Sequence, residues 1–466
     1  MGAFNLDFLS VSAIILLIVF LLIVFQEAVN GFHDVANAIA TVIYANALTP
    51  MQSVALAALF NFLGVLMGGT AVAFGLVYLL PESLVAGVNT TGEAALFFAM
   101  IVAAVVWNFG TWWLGIPNST THAYIGSIIG ISMADAFLHG RAVADQINWL
   151  QGEKIMAALI LSPVIGFLLG LILLKLLHFF IKDPEMYQPV EGNRKPSRGI
   201  RGVLVAGAAG VSLMHGSNDG QKSIGLMMIV LFGLAPALYG LDPARLGQDD
   251  YQKLSQTVAA VSRIAAVTQA PSLTQATERV QSQLESAPHE VGGTDETAVK
   301  QRENLLHLHT ELTKAQKNAA WWVTLDADQR EVIESAHSLL RDFVEHVPFW
   351  VVLLSAIALG GGTAIGYRRI VVTIGEKMGS ARMNPAQGIA AQVSAVASIG
   401  MADAGGLPVS TTHVLSSAVI GSVAATPHQS INYNTLARIA MTWVTTLPGT
   451  LLLSFALGVV FYSAFA

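Results

Sequence analysis

Asn30-Gly31-Phe32-His33-Asp34-Val35-Ala36-Asn37 sets an aspartate among glycine and amides, and 185 positions later His215-Gly216-Ser217-Asn218-Asp219-Gly220-Gln221-Lys222 does so again. A second pair, Gly115-Ile116-Pro117-Asn118-Ser119-Thr120-Thr121-His122 and Gly406-Leu407-Pro408-Val409-Ser410-Thr411-Thr412-His413, is offset by 291. Each motif lies within or beside a long uncharged apolar run. Carboxylates and hydroxyl clusters are thus set at bilayer depth in both halves of a duplicated chain, the arrangement expected of a secondary transporter.

Composition supports a membrane protein independently of the motifs. Charged residues make up 12% of the chain and hydrophobic ones 54%, against about 25% charged in a typical soluble domain. The stretches 8–26, 51–80, 94–134, 155–174, 223–241, 349–367, 383–402 and 439–466 contain no Asp, Glu, Lys or Arg. Most are long enough to cross about 30 Å of hydrocarbon. The fold class is therefore an all-α polytopic membrane protein. The first stretch reads as a mature helix and not a signal peptide, because no basic region precedes it and Asp7, Glu27 and Asp34 lie close by. With no cysteine, disulfides and thiolate metal sites are excluded.

Short basic loops stay on the cytoplasmic side, which assigns 182–201 (Lys182, Arg194, Lys195, Arg198, Arg201) and 367–382 (Arg368, Arg369, Lys377, Arg382) to that face. Crossings are expected at 8–45, as one interrupted element, and at 52–78, 94–114, 117–137 and 154–180. An odd number before Lys182 starts the second half from the opposite side, giving inverted repeats. The second half continues through 202–240, 347–366, 384–404, 408–425 and 434–464, roughly ten crossings in all. The organisation is a first membrane repeat at 1–181, a cytoplasmic basic linker at 182–201, the start of the second repeat at 202–241, a soluble insertion at 242–346 and the remaining repeat at 347–466. Both termini and the insertion are expected outside the cytoplasm, in a multi-pass membrane protein. The insertion carries ten basic against sixteen acidic residues. The spacing of Leu305, Leu306, Leu308, Leu312, Val332, Ile333, Leu339, Leu340 and Phe343 predicts two or three soluble helices over 300–345. The earlier part, 254–290, is expected to be poorly ordered.

The first motif pair has the chemistry of a cation site. Glycines beside Asp34 and Asp219 are expected to let the helix unwind and expose carbonyls. A carboxylate there, with Asn37 and Asn218 nearby, suits a small hard cation or a proton. Glu27, one turn before Asn30, is either a further ligand or an interfacial partner. The second pair suits an anion. Proline stops the incoming chain, and Ser or Thr then caps the apolar helix that follows, so free N–H groups, hydroxyls and the positive helix end converge. Two such capped half-helices facing one another at the midplane would hold a tetrahedral oxyanion from both sides. Asn61, Asn108, Gln387 and Gln392 read as interhelical glue.

These segments together resemble the PiT inorganic phosphate transporters, and more closely the bacterial low-affinity Pit branch. The resemblance implies uptake of inorganic phosphate driven by a cation gradient, by proton symport, with phosphate carried partly as a neutral complex with a divalent metal such as Mg as co-substrate. Asp34 and Asp219 would then be the coupling carboxylates, assisted by Asn30, Asn37 and Asn218. Ser119, Thr120, Thr121, Ser410, Thr411 and Thr412 would bind phosphate, and a homodimer is implied. His33 stands where the second motif has Asn218. A titrating imidazole there favours protons over sodium. Lys222 either draws phosphate inward, neutralises Asp219 or snorkels to an interface. Arsenate, a tetrahedral isostere, should be accepted.

The rival within the class is a sodium-coupled phosphate symporter. A membrane-embedded hydrolase lacks a nucleophile and base signature, and a primary pump lacks the phosphate loop. A transport-dead phosphate receptor would bind without moving its ligand. Nothing in the chain reads as a nucleic-acid partner site.

Overall fold

The computed structural model describes residues 11–81, 84–85, 90–116, 118–190, 194–235, 248–286, 295–365, 382–427 and 429–465. Expectations for Pro117, the side chain of Asn37 and the basic residues 368–377 lie outside the described residues. Among the described residues every regular element is a helix, as an apolar environment demands of a backbone that must satisfy its own hydrogen bonds. The chain divides into two units.

The first unit comprises Met1–Leu80, Thr91–Met227 and Pro348–Ala466. Its helices are α1 (Val11–Tyr44), α2 (Pro50–Met67), α3 (Ala71–Val77), α4 (Thr91–Trp113), α5 (Thr120–Leu138), α6 (Trp149–Phe180) and α7 (Arg198–Leu234), whose end enters the second unit. Five helices among the described residues, α1, α2, α4, α6 and the carboxy-terminal Tyr433–Phe465, are long and apolar enough to cross a membrane.

Helices form at the expected spans, with two corrections. The interruption expected around Asp34 and the unwinding expected at Asp219 do not occur: both motifs sit on continuous helices. Their glycines serve close packing instead. A Cβ on Gly31 would lie 2.4 Å from the Leu359 carbonyl oxygen, and one on Gly216 only 2.2 Å from that of Asn61, so neighbouring backbones approach where a side chain would hold them apart. The span expected at 52–78 divides, because α2 ends in a cap at Gly68 before α3 begins.

The second unit comprises Pro81–Thr90 and Met228–Val347. It contains α8 (Gln248–Val267), α9 (Pro271–Ser286), α10 (Asp295–Lys317) and α11 (Ala327–Val344). The poor order expected over 254–290 is therefore corrected for 254–286. Leu254, Val258, Val261 and Ala265 of α8, with Leu273, Ala276 and Val280 of α9, form buried stripes at helical spacing. These meet Leu305, Leu308, Leu312, Ile333 and Leu340, also buried. Inside this unit the Arg302 guanidinium lies 3.3 Å from the Phe232 ring centre. His309 and His337 stack at 4.7 Å. Burial, reinforced by His337, Arg341 and Lys317, pushes the His309 imidazole down to about 3.

The first unit is completed by α12 (Phe349–Thr363), α13 (Pro385–Ala404), α14 (Thr411–Ala424) and α15 (Tyr433–Phe465). Two of its contacts are mirror counterparts. Helix α5, from the first half of the chain, packs on α15 from the second, and α14, from the second half, packs on α6 from the first. Both contacts are lined by glycine. A Cβ on Gly126 would lie 2.1 Å from Thr450 Oγ1, one on Gly170 2.2 Å from the Ala418 oxygen and one on Gly421 2.1 Å from the Phe167 oxygen.

Candidate functional site

Ser119 and Ser410 start α5 and α14. Their hydroxyls accept from the backbone N–H of His122 and His413, at 3.2 Å in each case, the side-chain cap a helix start prefers. The expectation that the two Ser-Thr-Thr-His segments open helices therefore matches the geometry. The two starts meet: the His122 and His413 rings lie 4.6 Å apart, and Thr121 Oγ1 donates to the Val409 carbonyl at 2.9 Å. All six Ser and Thr side chains of the two segments are buried.

The aspartate motifs reach these segments crosswise. Asp34, from the first half, accepts a hydrogen bond from Thr412 of the second. Asp219, from the second half, reaches Thr121 of the first through Lys222. The Lys222 ammonium donates to Asp219 Oδ1 at 2.6 Å, to Thr121 Oγ1 at 2.7 Å and to the Val409 carbonyl at 2.6 Å. Lys222 is fully buried, so its charge is balanced by Asp219 inside the protein; it does not snorkel to an interface. Desolvation makes such a pair costly to break and only modestly stabilising to keep.

Between the carboxylates lies His215. Its Nε2 is 3.3 Å from Asp219 Oδ2 and 3.8 Å from Asp34 Oδ2, and the ligand-capable atoms of the three residues all fall within 4.8 Å of one another. The His215 Nδ1 is 3.0 Å from Asn61 Oδ1. Asn61 in turn donates through Nδ2 to Thr363 Oγ1 at 2.8 Å, and Thr363 donates to the Leu359 carbonyl at 2.8 Å. Asn61 thus joins helices, as expected of it, and also orients the imidazole.

Glu27 is fully buried, accepts from Asn30 at 3.4 Å and lies beside Ser223 and in the field of Asp219, which places it in the cluster and not at an interface. His33 adjoins Asp34 at 3.8 Å, and neither of its ring nitrogens makes a hydrogen bond. Asn218 turns away from the carboxylates. Its Nδ2 donates to the Leu407 carbonyl at 3.2 Å and its Oδ1 accepts from the Val409 N–H at 3.3 Å, fixing the loop before α14. Among the hydroxyls, that of Thr411 is buried and without a hydrogen bond.

Two site residues carry no role in the sequence reading. His215 is four positions before Asp219, one helical turn on the same face, a signal present in the motif itself. Asp403, at the end of α13, accepts from Ser217, Gln221 and Asn218 of the second aspartate motif. Only its position as a lone acid closing an apolar run could have drawn notice.

A family model described as the phosphate transporter family matches residues 30–454. The low-affinity inorganic phosphate transporter PitB of Escherichia coli strain K12 is 37% identical over 95% of this chain and 96% of its own length. PitA of the same strain is 36% identical with the same coverage. A probable low-affinity inorganic phosphate transporter of Bacillus subtilis is 29% identical over 96% of this chain and 97% of its own. A solved structure titled the sodium-dependent phosphate transporter shares the fold, with a TM-score of 0.55 at 19% identity, covering 96% of this chain and 98% of that one.

Proposed function

The chain belongs to the phosphate transporter family, and from that premise we propose that it imports inorganic phosphate across the bacterial inner membrane by proton symport. The observation that carries this reading is the crossed pairing of Asp34 with Thr412 and of Asp219, through Lys222, with Thr121. It couples each carboxylate of the cation motifs to a hydroxyl of the opposite anion-binding segment. A change of charge at either aspartate therefore changes which donors are free for an oxyanion.

In the mechanism we propose, phosphate binds between the starts of α5 and α14, taking hydrogen bonds from Thr120, Thr121, Thr411, Thr412 and the two cap serines and facing both positive helix ends. Lys222 is already on Thr121 and moves its contact to the anion. The proton path runs through Asp34, Asp219 and His33, with Glu27 and Asn30 beside them. Ordinary hydroxyl and amide donors take arsenate as readily as phosphate, and part of the cargo travels as a neutral divalent metal phosphate. About ten crossings form two inverted repeats, with both termini and the insertion outside the cytoplasm, and the protein works as a homodimer. Movement of the crossed site relative to its surroundings alternates access.

The test is uptake of radiolabelled phosphate into proteoliposomes under a proton gradient or a sodium gradient imposed separately. Accumulation with the proton gradient alone is expected. Accumulation driven only by sodium would remove the proton reading, and binding without accumulation would make the protein a receptor.

A further inference from the structure

The two capped helices are fastened differently at their far ends. At the end of α5, Asp135 is 1% exposed. Gly140, at φ +63°, reverses the chain there. The Arg141 N–H returns to the Ala136 carbonyl at 2.8 Å, and its guanidinium comes to 3.5 Å from Asp135 Oδ2. One helical turn after Asp135, His139 Nδ1 lies 3.0 Å from both the Asp135 carbonyl oxygen and Oδ1. A carbonyl and an ionised carboxylate can only accept, so Nδ1 carries the hydrogen. Nε2, across the ring, is 3.3 Å from the Tyr462 hydroxyl of α15. The imidazole thus bridges the end of α5 to α15.

The offset of 291 that relates the capped segments sets Thr426, Ser430 and Asn432 at the corresponding positions beyond α14. There the fastening is neutral. Thr426 Oγ1 accepts from Gln387 Nε2 at 2.9 Å, and the same amide donates to Gln429 Oε1 at 2.6 Å. The repeat keeps the joint and changes its chemistry. In the proposed topology α6 ends at the cytoplasmic linker, which puts its start, and the end of α5 before it, on the outer face. Gln387, in the first turn of α13, follows the loop assigned to the cytoplasm.

Charge says what the outer joint responds to. Asp135 and Glu93, in the first turn of α4, are acids in one another's field, and Arg141 is the fixed base. With Tyr462 these are the titratable groups around His139 among the described residues. Two acids against one base leave a formal −1, which a second proton on His139 cancels. That proton makes the contact with Oδ1 a charge-assisted hydrogen bond, and imidazole is the group that exchanges a proton across the physiological pH range.

We infer that Asp135, His139, Arg141 and Tyr462 form a proton-operated latch, which fastens the far end of α5 to α15 when His139 is charged and slackens when it is neutral. Because α5 starts at the anion site, the latch restrains one wall of that site from its far end. The joint beyond α14 lacks the switch. The placement of the latch on the outer face, though not the latch itself, rests on the proposed topology.

The test is hydrogen exchange read by mass spectrometry on the purified full-length protein in nanodiscs, with no gradient, at about pH 6 and about pH 8, either side of the imidazole range. After correction for intrinsic exchange rates, amides 136–141 should exchange about tenfold more slowly at the lower pH, the scale of one hydrogen bond to a charged group. Amides 422–427 should respond to neither. His139→Gln should abolish the difference, and Tyr462→Phe, which removes only the hydroxyl that ties the ring to α15, should reduce it several-fold. Equal protection at the two pH values, faster exchange at the lower one, an equal response at 422–427, or an unchanged response in either variant overturns the latch. Uptake of radiolabelled phosphate keeps this claim apart from transport. Accumulation by His139→Gln with its pH response gone makes the latch a modulator, whereas no accumulation by the unmutated protein, with the response intact, refutes transport alone.

Discussion

Asp34 touches the opposite half of the chain directly, through Thr412, whereas Asp219 does so only through the buried Lys222. The two motifs began as the same idea, an aspartate with amides on an apolar helix, yet one half carries a carboxylate held by a threonine of the other half and the second an ion pair with its own lysine. Under the proposed mechanism the difference divides the work: the Asp34 side takes up the coupling cation, and the Lys222 side supplies a cation that the anion can borrow.

The strongest way to break that contrast is to neutralise each carboxylate. Asp34→Asn and Asp219→Asn are each expected to abolish phosphate accumulation in proteoliposomes, and normal uptake by either would end the coupling assignment. Their stabilities should differ. Asp219→Asn strands the Lys222 ammonium in a dry interior and is expected to cost about 3–5 kcal/mol, read as a lower midpoint of thermal unfolding in detergent, while Asp34→Asn leaves that lysine pair in place. Adding Lys222→Met to Asp219→Asn should recover most of that loss without restoring uptake. A double variant no more stable than the single one would show that the pair is not what holds this region.

Single hydroxyls sharpen the comparison at smaller cost. Thr412→Val removes a hydrogen bond to a charged group, worth about 1.5–3 kcal/mol, and Thr121→Val removes the corresponding one to Lys222. Both should raise the phosphate KM, and if Thr121→Val alone leaves it unchanged, Lys222 does not deliver that hydroxyl to the anion. The smallest effect is expected where the halves are alike. Ser119→Ala and Ser410→Ala each remove one helix cap, at about 1 kcal/mol, and unequal losses would mean that one serine does more than cap.

Much of the scaffold was legible because its signals are local. Uncharged apolar runs located the helices of the first unit, and Ser119 and Ser410 marked the starts of α5 and α14. The continuity of α1 through Asn30 and Asp34 was not, because a glycine looks the same whether it loosens a helix or admits a neighbour. Gly31 does the latter, and only the position of Leu359 reveals it. The helices over 248–286 were obscured by a polar composition that hides a narrow buried stripe. At the site, sequence could place Asp219 and His215 on one helical face, but not Asp34 opposite them, since that neighbour comes from 185 residues away. Asp403 escaped for the same reason, as its partners Ser217 and Gln221 lie on another helix.

The glycine-lined contacts of α5 on α15 and of α14 on α6 bear on friction. Helices usually lock because side-chain ridges of one sit in grooves of the other, and to slip by a turn they must climb over those ridges. Where glycine removes the ridge, backbone runs against backbone, and the barrier to gliding along the helix axis falls while the contact stays tight against separation. In the proposed alternating access, each capped helix would have such a ridge-free contact with the opposite half of the chain to move along.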